Sequence, residues 1–195
     1  SDEEIKHIYP SLMMTGNRIV GAEARQKIMD HFAYEETCIV PYPFKPFDIR
    51  WCYLENIRPL FSEPSPQLLA HRFPSNIFFI TRDTADKNSE GIPFYFSRLV
   101  CDYDCISGHA RLFPILLKSG STPKGKKSGK QQESLFDLDA VTKTKTTANL
   151  SPFARDYLAQ LGITNPDDDA ETAGIIWMHA LAIGYAPAYL TENAD

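Results

Sequence analysis

Between Tyr42 and Tyr53 the chain reads Tyr-Pro-Phe-Lys-Pro-Phe-Asp-Ile-Arg-Trp-Cys-Tyr, and no other stretch restricts its backbone so tightly. Pro43 and Pro46 each remove a backbone donor and fix φ, so residues 42 to 46 must run extended, at a sheet edge or over a surface. From Phe47 the residues alternate. Phe47, Ile49, Trp51 and Tyr53 fall on one face of a strand, and Asp48, Arg50 and Cys52 on the other. The aromatic set reads as a buried face. Asp48 and Arg50 then lie about 7 Å apart along the strand, close enough for a structural ion pair; a ligand-facing Arg50 is the alternative.

The flanking pattern is that of an α+β domain: a mixed, largely antiparallel sheet with short helices and a helical C-terminal cap. Gly21 to Phe32 has helical spacing, with Ile28 and Phe32 one turn apart. Ile39 to Tyr42, Phe47 to Leu54, Asn76 to Arg82, Pro93 to Val100 and Ala110 to Leu117 have the β-branched and aromatic content of strands, with a short helix through Leu68, Leu69 and Phe73. Residues 1–118 thus form a β-rich body. Residues 119–147 are rich in Lys, Ser, Thr, Gly and Gln and predict a long, mobile, basic loop or insertion. Residues 148–195 are helical. Ser151-Pro152 gives an N-cap and a first-turn proline, Phe153, Tyr157, Leu158 and Leu161 an apolar stripe, and Gly162 a stop. Asn165-Pro166 repeats the start signal, which puts Asp167, Asp168, Asp169 and Glu171 in a first turn where the helix dipole favours acid. Residues 171–184 are apolar nearly all round and predict a buried helix ending at Gly184, with a last short turn from Ala188 to Asn193.

At 195 residues and 43% hydrophobic composition the chain has material for one core. No apolar run approaches the ~20 residues of a membrane span. The acidic start Ser1-Asp2-Glu3-Glu4 lacks a hydrophobic signal core, and four unpatterned cysteines fit free thiols, so a cytoplasmic location is expected. The net charge of -5 is unevenly spread: -3 over residues 1–117, +4 over 118–147 and -6 over 148–195. Such asymmetry permits an anion-binding surface on an acidic protein.

Several chemistries are absent from the pattern. There is no glycine-rich nucleotide loop after a strand, no Walker lysine and no nucleophile-elbow serine. Asn165-Pro166 is followed by Asp167 and is therefore not the catalytic tetrapeptide of amino-methylating enzymes. Cys101, Cys105 and His109 have a spacing that invites a zinc test, with Cys52 or Cys38 as a fourth ligand. The second cysteine cluster of a zinc signature is missing, so buried thiols and a hydrogen-bonded His109 are the expectation. Asp102 and Asp104 read as turn residues; with His109 they leave open a small metal-dependent hydrolase.

The basic residues Lys45, Arg50, Arg58, Arg72, Arg82, Arg98 and Arg111 are interleaved with Phe44, Trp51, Tyr53 and Phe73. Arginine suits two-point recognition of guanine edges, while lysine mainly neutralises phosphate. Either these residues contact nucleic acid or they form a solvated face. Lys124, Lys126, Lys127 and Lys130 of the basic loop are candidates for phosphate contact.

The Pro-Phe-Asp-Ile-Arg-Trp segment at 46–51 resembles the Pro-Phe-Asp-x-Arg-Trp signature in the C-terminal specificity region of type ISP-like restriction-modification enzymes and related adenine-specific DNA methyltransferases. The resemblance spans nearly the whole chain. Upstream it includes Asp2 to Leu12, and downstream Asn76 to Arg82, Phe113 to Leu117, Asn149 to Pro152, and the tail from Ile176 through Tyr185 to Leu190. Lys45 stands where that family most often has arginine, and the basic loop is a local insertion. The resemblance implies a DNA target-recognition domain whose partners are double-stranded DNA and the catalytic domain of a larger enzyme. That catalytic domain would bind S-adenosylmethionine and methylate a flipped adenine. This chain, which lacks the cofactor and catalytic motifs, is expected to be inactive alone. The alternative is an interaction or scaffold module that docks on the catalytic part through helix 171–184 and the acidic tail.

Overall fold

The structure is a computed structural model that describes residues 1–16, 19–31, 33–55, 58, 61, 65–82, 84, 94–119 and 145–193. The fold class is α+β, and every described strand pairing is antiparallel. The chain forms two compact units, one of Ser1–Val40 with Trp51–Pro66 and one of Pro41–Arg50 with Gln67–Asp195.

In the first unit, α1 (Asp2–Ile8) begins with a capping box: Ser1 Oγ accepts from the Glu4 N–H, and the Glu4 carboxylate turns back to the Ser1 amine. The two-residue strands β1 (Thr15–Gly16) and β2 (Ile19–Val20) pair ahead of α2 (Gly21–His31). Arg25 on α2 forms an ion pair with Asp2 on α1. Tyr34 stacks on Tyr53 at 5.8 Å between ring centroids, and the Tyr53 hydroxyl accepts from the Glu35 N–H at 2.9 Å.

Strands β3 (Ile39–Lys45) and β4 (Asp48–Tyr53) form a two-stranded sheet turned at Pro46 and Phe47. Proline at the first corner and a positive φ of 65° at Phe47 meet the needs of a type II turn. The alternation expected from sequence is present, but the aromatic face is not buried. Phe47 is fully exposed, Ile49 is 60% exposed and Trp51 74%; only Tyr53 is half-buried. Alternation defines two faces of a strand without saying which one is covered, and among the described residues no further strand pairs beside these two.

The second unit is built around the sheet β6-β5-β7, where β5 (Phe78–Arg82) lies between β6 (Tyr95–Ser97) and β7 (Ala110–Pro114). The register aligns Phe79 with both Phe96 and Phe113, so three aromatic rings share one face. Trp177 closes that face, 4.9 Å from Phe79 and 6.1 Å from Phe113 between centroids. Such pairs add ~0.5–1.5 kcal/mol each beyond burial of their area. Strand β8 (Leu116–Lys118) pairs with β9 (Thr146–Ala148) and so brings together the two ends of the basic segment; residues 120–144 lie outside the described residues.

Helix α3 (Pro66–Leu69) precedes the sheet, and α4 (Pro152–Gln160), α5 (Ala170–Gly184) and α6 (Pro187–Glu192) follow it. Ser151 caps α4, and Gly162 takes a φ of 83° after it. Of the predicted stripe only Leu158 is buried, whereas Phe153, Tyr157 and Leu161 face solvent. Helix α5 departs from expectation twice. It starts later than Asn165-Pro166 suggested, with Asp169 as N-cap and only Glu171 in its first turn. It is also buried on one face only, through Ala170, Ala173, Gly174 and Gly184, while Met178 and Ile183 are exposed. Small residues at these positions let the helix lie close to Ile115, which is fully buried.

Candidate nucleic-acid interface

The turn end of the β3-β4 hairpin concentrates the polar and aromatic groups that a nucleic acid would meet. Arg50 and Asp48 point the same way from β4, as strand periodicity requires. Their ion pair uses three short contacts: Arg50 Nε donates to Asp48 Oδ1 and Oδ2 at 3.2 and 3.1 Å, and Arg50 Nη2 donates to Oδ2 at 2.8 Å. The guanidinium carbon lies 4.0 Å from the centre of the Phe44 ring, so the group is held at its edge and on one face. It remains 58% exposed. Hydrogen bonding by Arg50 holds the Asp48 carboxyl below its usual range, so the pair stays charged at neutral pH. The expected ion pair is therefore present, and Arg50 faces solvent as well.

The hairpin is hydrogen-bonded to the loop at residues 102–104. The Asp102 N–H donates to the Pro43 carbonyl at 2.9 Å, the Tyr42 hydroxyl donates to Asp102 Oδ2 at 3.4 Å, and Lys45 Nζ donates to the Asp104 carbonyl. Asp102 Oδ1 accepts from the Asp104 N–H at 2.9 Å, and Asp104 Oδ1 meets His109 Nδ1 at 2.9 Å. His109 stacks on Tyr103 at 4.3 Å. Asp102 and Asp104 are thus turn residues, and His109 is hydrogen-bonded as expected. Gly108 has a φ of 77°, and a Cβ there would collide with the Thr84 carbonyl oxygen. Behind this loop Cys101 and Cys105 are buried free thiols. Burial raises both, Cys101 above all. Among the described residues no group of His, Cys, Asp and Glu is arranged to hold a metal ion.

The other predicted basic residues lie on several different elements. Arg58 is exposed in the first unit. Arg72 is half-buried between α3 and β5, and Arg82 is half-buried at the end of β5. Arg111 pairs in register with Thr81, whereas Arg82 pairs with Ala110, so these two arginines leave opposite faces of the sheet. Arg98 lines an open pocket of about 320 Å³ together with Asp168, Asp169 and Glu171, an acidic surrounding that disfavours phosphate. Lys124, Lys126, Lys127 and Lys130 lie outside the described residues. Phe44, by contrast, gains a specific role as the platform under Arg50. Its place beside a proline in the aromatic run was the one available signal.

A family model described as the type ISP C-terminal specificity domain matches residues 15–195. The chain belongs to this family. No curated protein and no solved structure matches it. Membership makes the type ISP specificity domain a target-recognition part of a restriction-modification enzyme, which recognises DNA and is attached to a larger enzyme. No helix among its described residues is long and apolar enough to cross a membrane.

Proposed function

We propose that this chain is the DNA-reading module of an adenine-specific DNA methyltransferase, and that the β3-β4 hairpin is its reading element. The observation that supports this reading is the hairpin end itself, where Arg50 and Lys45 are anchored but exposed beside a fully exposed Phe47. Soluble proteins rarely leave an aromatic residue in a positive-φ turn without a use for it, since the conformation alone costs ~1 kcal/mol or more. A two-stranded ribbon is also one of the two elements that fit the DNA major groove.

On this reading the parent's catalytic domain holds S-adenosylmethionine and transfers its methyl group to the exocyclic nitrogen of an adenine swung out of the duplex. The present chain contributes position: it fixes the register of the duplex so that one adenine faces that domain. Its site of action is the cytoplasm. Exchange of this domain between two family enzymes of different specificity, followed by mapping of methylated adenines, tests the proposal. The methylated sequence should follow the exchanged domain, and the purified chain should methylate nothing. Unchanged methylation sites after the exchange, or methylation by the chain alone, would refute it.

A docking role toward the catalytic part has separate support in α5, which leaves Met178 and Ile183 in solvent on a helix whose opposite side is packed. The two roles use different surfaces and are compatible. Charge substitution at Met178 and Ile183 should weaken assembly with the catalytic part and leave DNA binding by the chain unchanged.

A further inference from the structure

The arrangement around Arg50 distinguishes between kinds of DNA contact. An arginine that serves phosphate contributes chiefly through net charge and tolerates a loose side chain. Arg50 has neither property: its charge is matched by Asp48, and its plane is set by the carboxylate at one edge and the Phe44 ring on one face. Asp48 takes up the Nε and Nη2 edge. The two N–H groups of Nη1 and the outer N–H of Nη2 remain, and one N–H from each nitrogen forms a pair of parallel in-plane donors at the end of an exposed side chain.

Two in-plane donors fit two in-plane acceptors. In the major groove guanine presents N7 and O6 side by side, whereas adenine pairs its N7 with an amino donor and would clash in polarity with a second arginine N–H. A guanidinium whose rotation is already restricted also loses less freedom on binding than a free one. We infer that Arg50 reads a guanine of the target sequence through N7 and O6, with Asp48 and Phe44 as positioning residues. This rests on the DNA-reading role proposed above. Lys45, tied to the Asp104 carbonyl at the same hairpin end, supplies the neighbouring phosphate contact.

Selection from a randomised duplex library by the purified chain tests this assignment. The wild-type chain should enrich a motif that contains a fixed guanine. Arg50→Ala should lose that guanine alone, with the rest of the motif retained and affinity for the wild-type site lowered roughly 5- to 100-fold. Replacement of that guanine by 7-deazaguanine should weaken the wild-type chain, a loss read without any variant, and leave Arg50→Ala unaffected. Asp48→Asn should keep the guanine but discriminate less and depend more steeply on salt, because the arginine charge is then unmatched. Retention of every guanine by Arg50→Ala, or an equal loss on all sequences, overturns the assignment while the DNA-reading role stands. Failure of the wild-type chain to enrich any motif overturns both.

Discussion

Asn76 and Leu116, forty residues apart, exchange hydrogen bonds in both directions: Asn76 Nδ2 donates to the Leu116 carbonyl at 2.9 Å, and the Leu116 N–H donates to Asn76 Oδ1 at 3.0 Å. The same side chain donates to the His71 carbonyl at 2.7 Å and accepts from the Ile77 N–H at 3.0 Å. A side chain only 1% exposed therefore completes the backbone pairing between the start of β5 and β8. Removal of the amide in Asn76→Ala leaves buried backbone groups without partners and should cost about 2–4 kcal/mol. Chemical denaturation of both proteins measures it. A loss below the size of an ordinary surface substitution would mean that water or a shifted backbone replaces the amide.

A second prediction concerns acid. Arg155 Nη2 lies 2.7 Å from Asp167 Oδ1 and 2.9 Å from the Ala148 carbonyl, and Asp167 also accepts from the Ala148 N–H at 2.6 Å. The Arg155 hydrogen bonds, and then that of Ala148, hold Asp167 below its ordinary value of 3.8. The folded protein therefore binds fewer protons here than the unfolded chain. The stabilisation is complete above the unfolded value and fades as pH falls through the folded one. Both side chains are partly exposed, so the ion pair itself contributes only ~0.5–1 kcal/mol. Asp167→Asn should lower Tm at neutral pH, and the gap to wild type should narrow as pH falls below the ordinary carboxylate value of 3.8. A gap that stays constant with pH would place the effect in the Ala148 hydrogen bond alone.

The cysteines give a third. Cys38, Cys101 and Cys105 are buried, and burial raises each thiol above its usual range. A thiolate is the reactive form, so these three should resist a disulfide-exchange reagent in the native protein at neutral pH and react once it is denatured. Half-buried Cys52 should be the first modified. Rapid native labelling of Cys101 would show that the loop over it opens readily.

Much of this was legible in the sequence, for identifiable reasons. Pro43, Pro46 and the alternation after them are local signals, and they located the hairpin. Ser151-Pro152 and Gly162 likewise bounded α4. The exposure of Phe47, Ile49 and Trp51 was not legible, because periodicity defines faces and only tertiary structure covers them. The α5 start was misread because Asp167 is engaged by Arg155, twelve residues earlier, rather than by a helix terminus. Its one-sided burial was hidden by a composition apolar on all sides. At the candidate interface the Asp48-Arg50 pair followed from spacing on one strand. The Phe44 platform and the support from residues 102–104 depend on chain reversal and on a loop some sixty residues later, which no local pattern encodes.

Titration of the purified chain with duplex DNA from about 50 to about 200 mM salt tests the DNA-reading claim most directly. Binding should be saturable, with the logarithm of the association constant falling linearly with the logarithm of salt. Lys45→Ala should reduce the slope by about 0.9, the value of one phosphate contact. Arg50→Ala combined with Asp48→Asn, which together leave the local charge unchanged, should weaken binding to the preferred sequence with the slope unchanged. Absence of saturable binding at the lowest salt, or binding that neither variant alters, would contradict the claim.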